Sequence, residues 1–169
     1  MPELLLRAAR LVDADSDAAG WLQVSGTRIT ARGTGAPPRE PDLDLDVVLP
    51  PFVDIHTHGA CGVDFGTVGV DPEPAIAHHH RNGSTTIEAT IATGTLASMR
   101  TRIRELSGYV RSGELAGIHL EGPWLAPARK GAHDPSLLRT PDPAEVMGLV
   151  EAGDGAVRMI TIAPELPGA

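Results

Sequence analysis

The chain has 169 residues, 41% of them apolar, and carries 22 Asp and Glu against 14 Lys and Arg, a net charge of −8. That balance argues against a nucleic-acid backbone as partner, which needs a basic footprint. No run of about 18 apolar residues offers a membrane span. The length suits one domain, or one and part of another, and falls short of the roughly 200 residues or more of a complete (β/α)8 barrel. Cys61 is the single cysteine, so no intrachain disulfide can form. MPELLLRAARLVDADSD lacks a signal peptide's long apolar stretch, and a reducing, cytoplasmic setting is expected.

Residues 1–49 read as a small β domain. Leu4 to Leu6 and Ala8 to Val12 are apolar, and Trp21 to Val24 makes a short strand. Ser25-Gly26 turns it into Arg28-Ile29-Thr30, a hairpin signal. Gly33 to Pro41 is a loop, and Asp42 to Val47 alternates polar and apolar, as a half-exposed strand does. This segment, read as β-sandwich-like, shows no obvious chemistry.

At Val48 the character changes. VLPPFVDIHTHG reads as a buried strand ending in histidines. A helix is expected from Asp71-Pro72 to Arg81, stopped by Asn82-Gly83. Ser84 to Ala92 is short and β-branched, hence a strand. Leu96, Met99, Ile103, Leu106 and Val110 fall on one face of a helix ended by Gly113. Leu115 to Glu121 is the next strand, stopped by Gly122-Pro123. Asp142-Pro143 starts a helix carrying Val146, Leu149 and Val150 and ending at Gly153. Val157 to Ala163 is a fourth strand, tipped by Pro164-Glu165. Strands alternating with helices through short links predict a parallel α/β sheet. The expected fold class is α/β. Residues 50–169 make a partial (β/α)8 TIM-type barrel of about four strands.

His56 and His58 are separated by one residue, so on a strand both imidazoles point the same way, with Asp54 behind them. Two imidazoles at a strand tip begin a zinc or similar divalent site. The plainer alternative is two ordinary histidines in a polar loop. Glu121 ends the third barrel strand, where parallel barrels place their chemistry. Taken alone it suits a salt bridge or helix cap as well as a metal. His133 lies in the loop after Glu121, either a surface residue or a substrate contact. Arg129 and Lys130 are a solvated pair or could steer an anion. His78, His79 and His80 sit near a helix end and fan out by about 100° each, so they cannot converge on one ion. Cys61 is expected to be a small buried residue rather than a ligand. Glu88 lies within a strand and lacks an evident partner. No Ser-His-Asp set, P-loop or dinucleotide glycine fingerprint is present.

PPFVDIHTHG (Pro50 to Gly59), with GVDF after it (Gly62 to Phe65), resembles the first-strand signature of the amidohydrolase superfamily. GIHLEGPWLAPARKGAHDP (Gly117 to Pro135) and IAPE (Ile162 to Glu165) resemble the N-acetylglucosamine-6-phosphate deacetylases, over their N-terminal half. The resemblance implies metal-dependent hydrolysis of N-acetylglucosamine 6-phosphate to glucosamine 6-phosphate and acetate. It assigns Glu121 to the metal, with His56 and His58 as further ligands, and Ala132 and His133 to the sugar. The ion would be Zn2+, with Fe2+, Mn2+ or Co2+ as alternatives. A phosphorylated amino sugar is the implied partner, and the full-length enzyme is expected to be a homodimer. Two further metal-binding histidines and the catalytic aspartate of the family would lie beyond Ala169, so no catalytic residue is assigned within the chain. The chain is therefore expected to be an inactive piece. Two other readings stand beside this one. One is hydrolysis of a different amide or a cyclic ureide; the other is a non-catalytic half-barrel that binds metal or pairs through its open edge.

Overall fold

A computed structural model describes residues 3–169. The chain divides into two compact units, one up to Pro50 and one from Pro51 to Ala169. The first holds strands β1 (Glu3–Val12), β2 (Asp17–Ser25), β3 (Arg28–Gly33) and β4 (Leu43–Val48) in one sheet of order β3-β2-β1-β4. β1 and β2, like β2 and β3, pair antiparallel, as short turns dictate; Gly26, at the β2–β3 turn, has φ 59°. β4 instead joins β1 in parallel, Leu6 opposite Leu43 and Leu11 opposite Val48. The two apolar runs expected before Val12 form the one strand β1, with a register shift between Ala8 and Leu11. Leu5 and Ala8 are buried, and ion pairs such as Arg7–Asp44 and Arg10–Asp17 lie on the surface.

The second unit is an α/β arrangement. Its main sheet has the order β10-β9-β8-β5, from β5 (Phe52–Thr57), β8 (Ser84–Ala92), β9 (Gly117–Glu121) and β10 (Val157–Thr161), all parallel. Helices α1 (Glu73–Arg81), α2 (Leu96–Ser112) and α3 (Pro143–Ala152) connect successive strands. Thr95 caps α2 by accepting from the Ser98 amide, and Gly113 ends it at φ 85°. Asp142 caps α3 by accepting from the Ala144 amide. Between β5 and α1, β6 (Gly59–Ala60) and β7 (Val63–Asp64) form a small antiparallel hairpin.

Alternation sorts the sheet's two faces. Ile87, Ala89 and Ile91 of β8 and Ile118 and Leu120 of β9 form a core with Ala75, Ile76, Met99, Ile103, Leu106 and Leu149 from the helices. Glu88, Thr90, His119 and Glu121 alternate with them and take the other face. Arg102 lies on the buried side of α2, 1% exposed. It donates to the carbonyls of Phe65 and Val70 and to Glu105, pinning the segment after the hairpin.

Two expectations are corrected here. The VLPPFVDIHTHG strand is not buried: Phe52, Val53 and Ile55 are 57%, 65% and 51% exposed. β5 is the edge of the sheet and pairs only with β8, so its apolar run has cover on one side alone. Cys61 is not a small core residue either. It is exposed at the tip of the β6–β7 hairpin, where the turn imposes φ 54°.

Candidate metal centre

In a parallel sheet the carboxyl ends of all strands share one rim, so residues far apart in sequence meet there. β5 brings His56 and, one residue past its end, His58; β9 brings Glu121. The Nε2 atoms of His56 and His58 lie 3.4 and 3.0 Å from Glu121 Oε2. The His133 Nε2 lies 3.5 Å from the same oxygen. Three imidazoles thus crowd one carboxylate oxygen, more than a single ion pair needs. His56, His58 and Glu121 offer ligand atoms all within 4.8 Å of one another, the only such group of three among the described residues. His133 is outside that set, and so are His78, His79 and His80. Those three stand at the end of α1, where His79 meets the Thr57 hydroxyl at 3.2 Å.

The spacing suits a divalent ion. Zinc holds nitrogen and carboxylate oxygen at about 2.0–2.2 Å, which puts neighbouring donors of a tetrahedron about 3.3–3.6 Å apart. The observed 3.0 and 3.4 Å need only small side-chain shifts to match. Two nitrogens and one oxygen are a donor set that zinc and other first-row divalent ions accept.

Beneath the rim stands His119, 1% exposed. Its Nδ1 meets the Thr90 hydroxyl at 3.1 Å and its Nε2 the Thr161 hydroxyl at 2.8 Å, which ties β8, β9 and β10 together. Its ring packs edge-on against His56, with centroids 4.8 Å apart. Burial, and next the nearby His56 charge, push its pKa below the usual imidazole range. His119 thus fills the space beneath His56 and is held on both ring nitrogens by threonine hydroxyls. Sequence reasoning saw it only as part of a buried strand, although its position two residues before Glu121 puts it on the same face.

A cavity of about 280 Å³ opens beside the cluster, lined by His58, Ala92, Thr93, Glu121, Ala132, His133 and Asp134. Ala132 and His133, the residues that the resemblance assigns to the sugar, therefore stand at its wall. Lys130 Nζ is turned onto its own loop, donating to the carbonyls of Gly131 and His133 at 3.3 and 3.2 Å, and Arg129 is exposed. A larger hollow of about 430 Å³ in the N-terminal sheet is walled by Arg7 and Asp44, which already pair with each other. Among the described residues the one group of three metal-ligating side chains stands beside the smaller cavity, not this one.

The parallel α/β sheet thus brings an HxH pair and a glutamate together at its carboxyl rim. No family model matches the chain. It is 30% identical to an N-acetylgalactosamine-6-phosphate deacetylase of Escherichia coli O157:H7, over 98% of this chain and 45% of that protein. It is 28% identical to the N-acetylglucosamine-6-phosphate deacetylase of Bacillus subtilis, over 86% of this chain and 40% of that one. Among solved structures, the N-acetyl-D-glucosamine-6-phosphate deacetylase of Mycobacterium smegmatis, in complex with N-acetyl-D-glucosamine-6-phosphate, superposes with a TM-score of 0.93 at 41% identity. That match covers all of this chain and 45% of that one. The Thermotoga maritima enzyme gives 0.82 at 28%, over 98% and 44%. The chain is therefore a relative, in sequence and in fold, of the N-acetylglucosamine-6-phosphate deacetylases. It spans 40–45% of the length of these relatives.

Proposed function

We propose that this chain supplies the metal-binding and sugar-contacting part of an N-acetylglucosamine-6-phosphate deacetylase. The observation that carries the reading is the convergence of His56, His58 and His133 on one oxygen of Glu121 at a cavity mouth. The four parallel strands, each beside its neighbour in sequence, are read as the first four of a (β/α)8 barrel, with residues 1–49 as part of its small β domain. His56, His58 and Glu121 would hold a divalent ion, zinc first by its donor preference. When bound, such an ion acidifies a water and polarises an amide carbonyl. His133, at the cavity wall, would bind an oxygen of the substrate, and Ala132 would leave room for it. A cytoplasmic setting and homodimerisation of the complete enzyme go with this reading and carry none of its weight.

Hydrolysis also needs a base to take and return a proton. The carboxylates lining the cavity are Glu121, surrounded by imidazoles, and Asp134, which accepts from the Ser136 amide and hydroxyl. Neither is free for that work. The 169-residue chain by itself is therefore expected to bind metal and sugar phosphate but to turn substrate over negligibly. The test is ligand-observed NMR with N-acetylglucosamine 6-phosphate, with and without added zinc, alongside a deacetylation assay. Zinc-dependent binding without turnover fits; absence of zinc binding, or robust turnover by a homogeneous preparation, refutes the reading. N-acetylgalactosamine 6-phosphate belongs in the same experiment, because the Escherichia coli relative is named for that epimer.

A further inference from the structure

Thr93 follows the last residue of β8 and lines the cavity beside His133 and Glu121. Its hydroxyl lies 2.8 Å from His133 Nδ1 and 3.4 Å from the Glu121 carbonyl oxygen. A hydroxyl has one proton to give. The shorter contact is a full hydrogen bond, and the longer one is at the outer limit of one. In the shorter contact the direction follows the ring's tautomer: the hydroxyl donates to Nδ1 when that nitrogen is bare. The other ring nitrogen, Nε2, stands 3.5 Å from Glu121 Oε2, and a carboxylate favours an N–H facing it. The neutral form with the proton on Nε2 therefore gives both ring nitrogens a partner, Nδ1 accepting from Thr93 and Nε2–H facing the carboxylate.

The rest of the geometry holds this contact in place. A Cβ added at Gly122 would lie 2.2 Å from Thr93 Oγ1, so the hydroxyl fills the space that glycine leaves open. The His133 backbone is tied from the loop side: its amide donates to the Lys130 carbonyl at 3.1 Å, and its carbonyl accepts from Lys130 Nζ at 3.2 Å. Ring and backbone are thus fixed from two different elements.

We propose that Thr93 is a positioning residue: it donates to His133 Nδ1, fixes the Nε2–H tautomer, and so aims an N–H donor into the cavity for an acceptor oxygen of the substrate. The assignment of that cavity to substrate rests on the function proposed above; the tautomer does not. A hydrogen bond of ordinary strength biases such an equilibrium about five- to tenfold.

The test uses the 169-residue chain, 15N-labelled at histidine and stripped of metal, near pH ~8.5, above the ordinary imidazole range. Long-range proton–nitrogen correlation separates protonated from bare ring nitrogens, and loss of one signal set in His133→Gln assigns His133. The expected wild-type spectrum has Nε2 protonated and Nδ1 bare. Thr93→Val should bring the two tautomers toward equal population, and Thr93→Ser should restore the wild-type ratio, which a purely steric role would not do. If Thr93→Val loses its native spectrum, Thr93→Ala takes its place with the same expectation. A wild-type ring protonated on Nδ1, or an unchanged ratio in the hydroxyl-free variant, overturns the proposal. These outcomes need no substrate, so a failure of the deacetylase reading shows separately, in the zinc and sugar experiment.

Discussion

Replacing Glu121 by Gln keeps the shape of the proposed metal cluster and removes its only negative ligand. The cost can be worked from the donor set. Four-ligand zinc sites in small peptides bind with about 10–16 kcal/mol, or about 2.5–4 kcal/mol per ligand. One ligand lost at that rate is a fall of about two to three orders of magnitude in affinity. Glu121 is the oxygen onto which His56 and His58 converge at 3.4 and 3.0 Å, so Gln also removes the charge that holds the two imidazoles together. The assay is a zinc titration of the metal-stripped chain against a competing chelator near pH ~7.5, with circular dichroism to confirm that the variant is folded. One ion per chain is expected for the wild type, and a Kd raised about 100- to 1,000-fold for Glu121→Gln. His80→Gln, at the exposed end of α1, is the control and should bind as the wild type does. A Glu121→Gln Kd within about threefold of wild type would refute the ligand set, and so would an equal loss in His80→Gln.

Three other perturbations follow from the same structure. Glu88 has a buried carboxylate oxygen with no partner; burial raises its pKa, and the Arg158 charge partly opposes this. A carboxyl raised in the folded state favours folding below its unfolded pKa and loses that contribution as pH rises through the folded value. Glu88→Gln should therefore gain stability over wild type as pH rises above 4.5, read by urea denaturation, and a gap that shrinks as pH rises would count against this. In the N-terminal unit, Asp13 and Asp42 are held at about 2, well below 3.8. Asp13 owes this first to the Asp15 amide, and Asp42 to the Arg39 guanidinium. A depressed carboxyl stabilises above its unfolded pKa and ceases to as pH falls through the folded one. That unit should thus lose stability between pH 3.8 and about 2, and Asp42→Asn should flatten the loss in an acid titration followed by tryptophan fluorescence. Arg102→Met should cost about 2–4 kcal/mol in urea denaturation, because the Phe65 and Val70 carbonyls lose their donor; a cost under about 0.5 kcal/mol would show that the buried guanidinium does not hold that segment.

Much of the second unit was legible because parallel α/β structure is written in local patterns. The spacing of Met99, Ile103 and Leu106 marked the buried face of α2, and the caps at Asp142 and Gly113 marked real ends. Features that depend on distant partners were not legible. Nothing near Leu43 says that β4 will lie parallel to β1, and nothing near Phe52 says that its strand will be a sheet edge. The β6–β7 hairpin is too short to show any periodicity. The charge of Arg102 gives no sign of burial, yet it is one residue from Ile103 on the stripe and has Glu105 three residues on, a signal that could have flagged it. At the site, the shared face of His56 and His58 came from strand alternation. The positions of His119 and Thr93 required knowing which strands are neighbours.

The same alternation explains why the site lies where it does. A parallel sheet covered on both faces reads as near-continuous apolar runs. β8 and β9 do not. Ile87, Ala89, Ile91, Ile118 and Leu120 serve the core, while Glu88, Thr90, His119 and Glu121 take the opposite face. Glu88 is opposite Gly117, and a Cβ there would lie 2.4 Å from Arg158 Cγ, so the Arg158 side chain crosses that glycine near the start of β9. Thr90, His119 and Thr161 form the middle layer, and Glu121 with the histidines forms the rim. Each layer is polar, and each is joined to the next through consecutive same-face positions of one strand. A sequence that needed only to fold would fill that face with Val, Ile and Leu. Keeping it polar gives up apolar burial and leaves one buried carboxylate oxygen of Glu88 without a hydrogen-bond partner, which is intelligible if the rim must hold charged and imidazole ligands over a floor that does not collapse onto them.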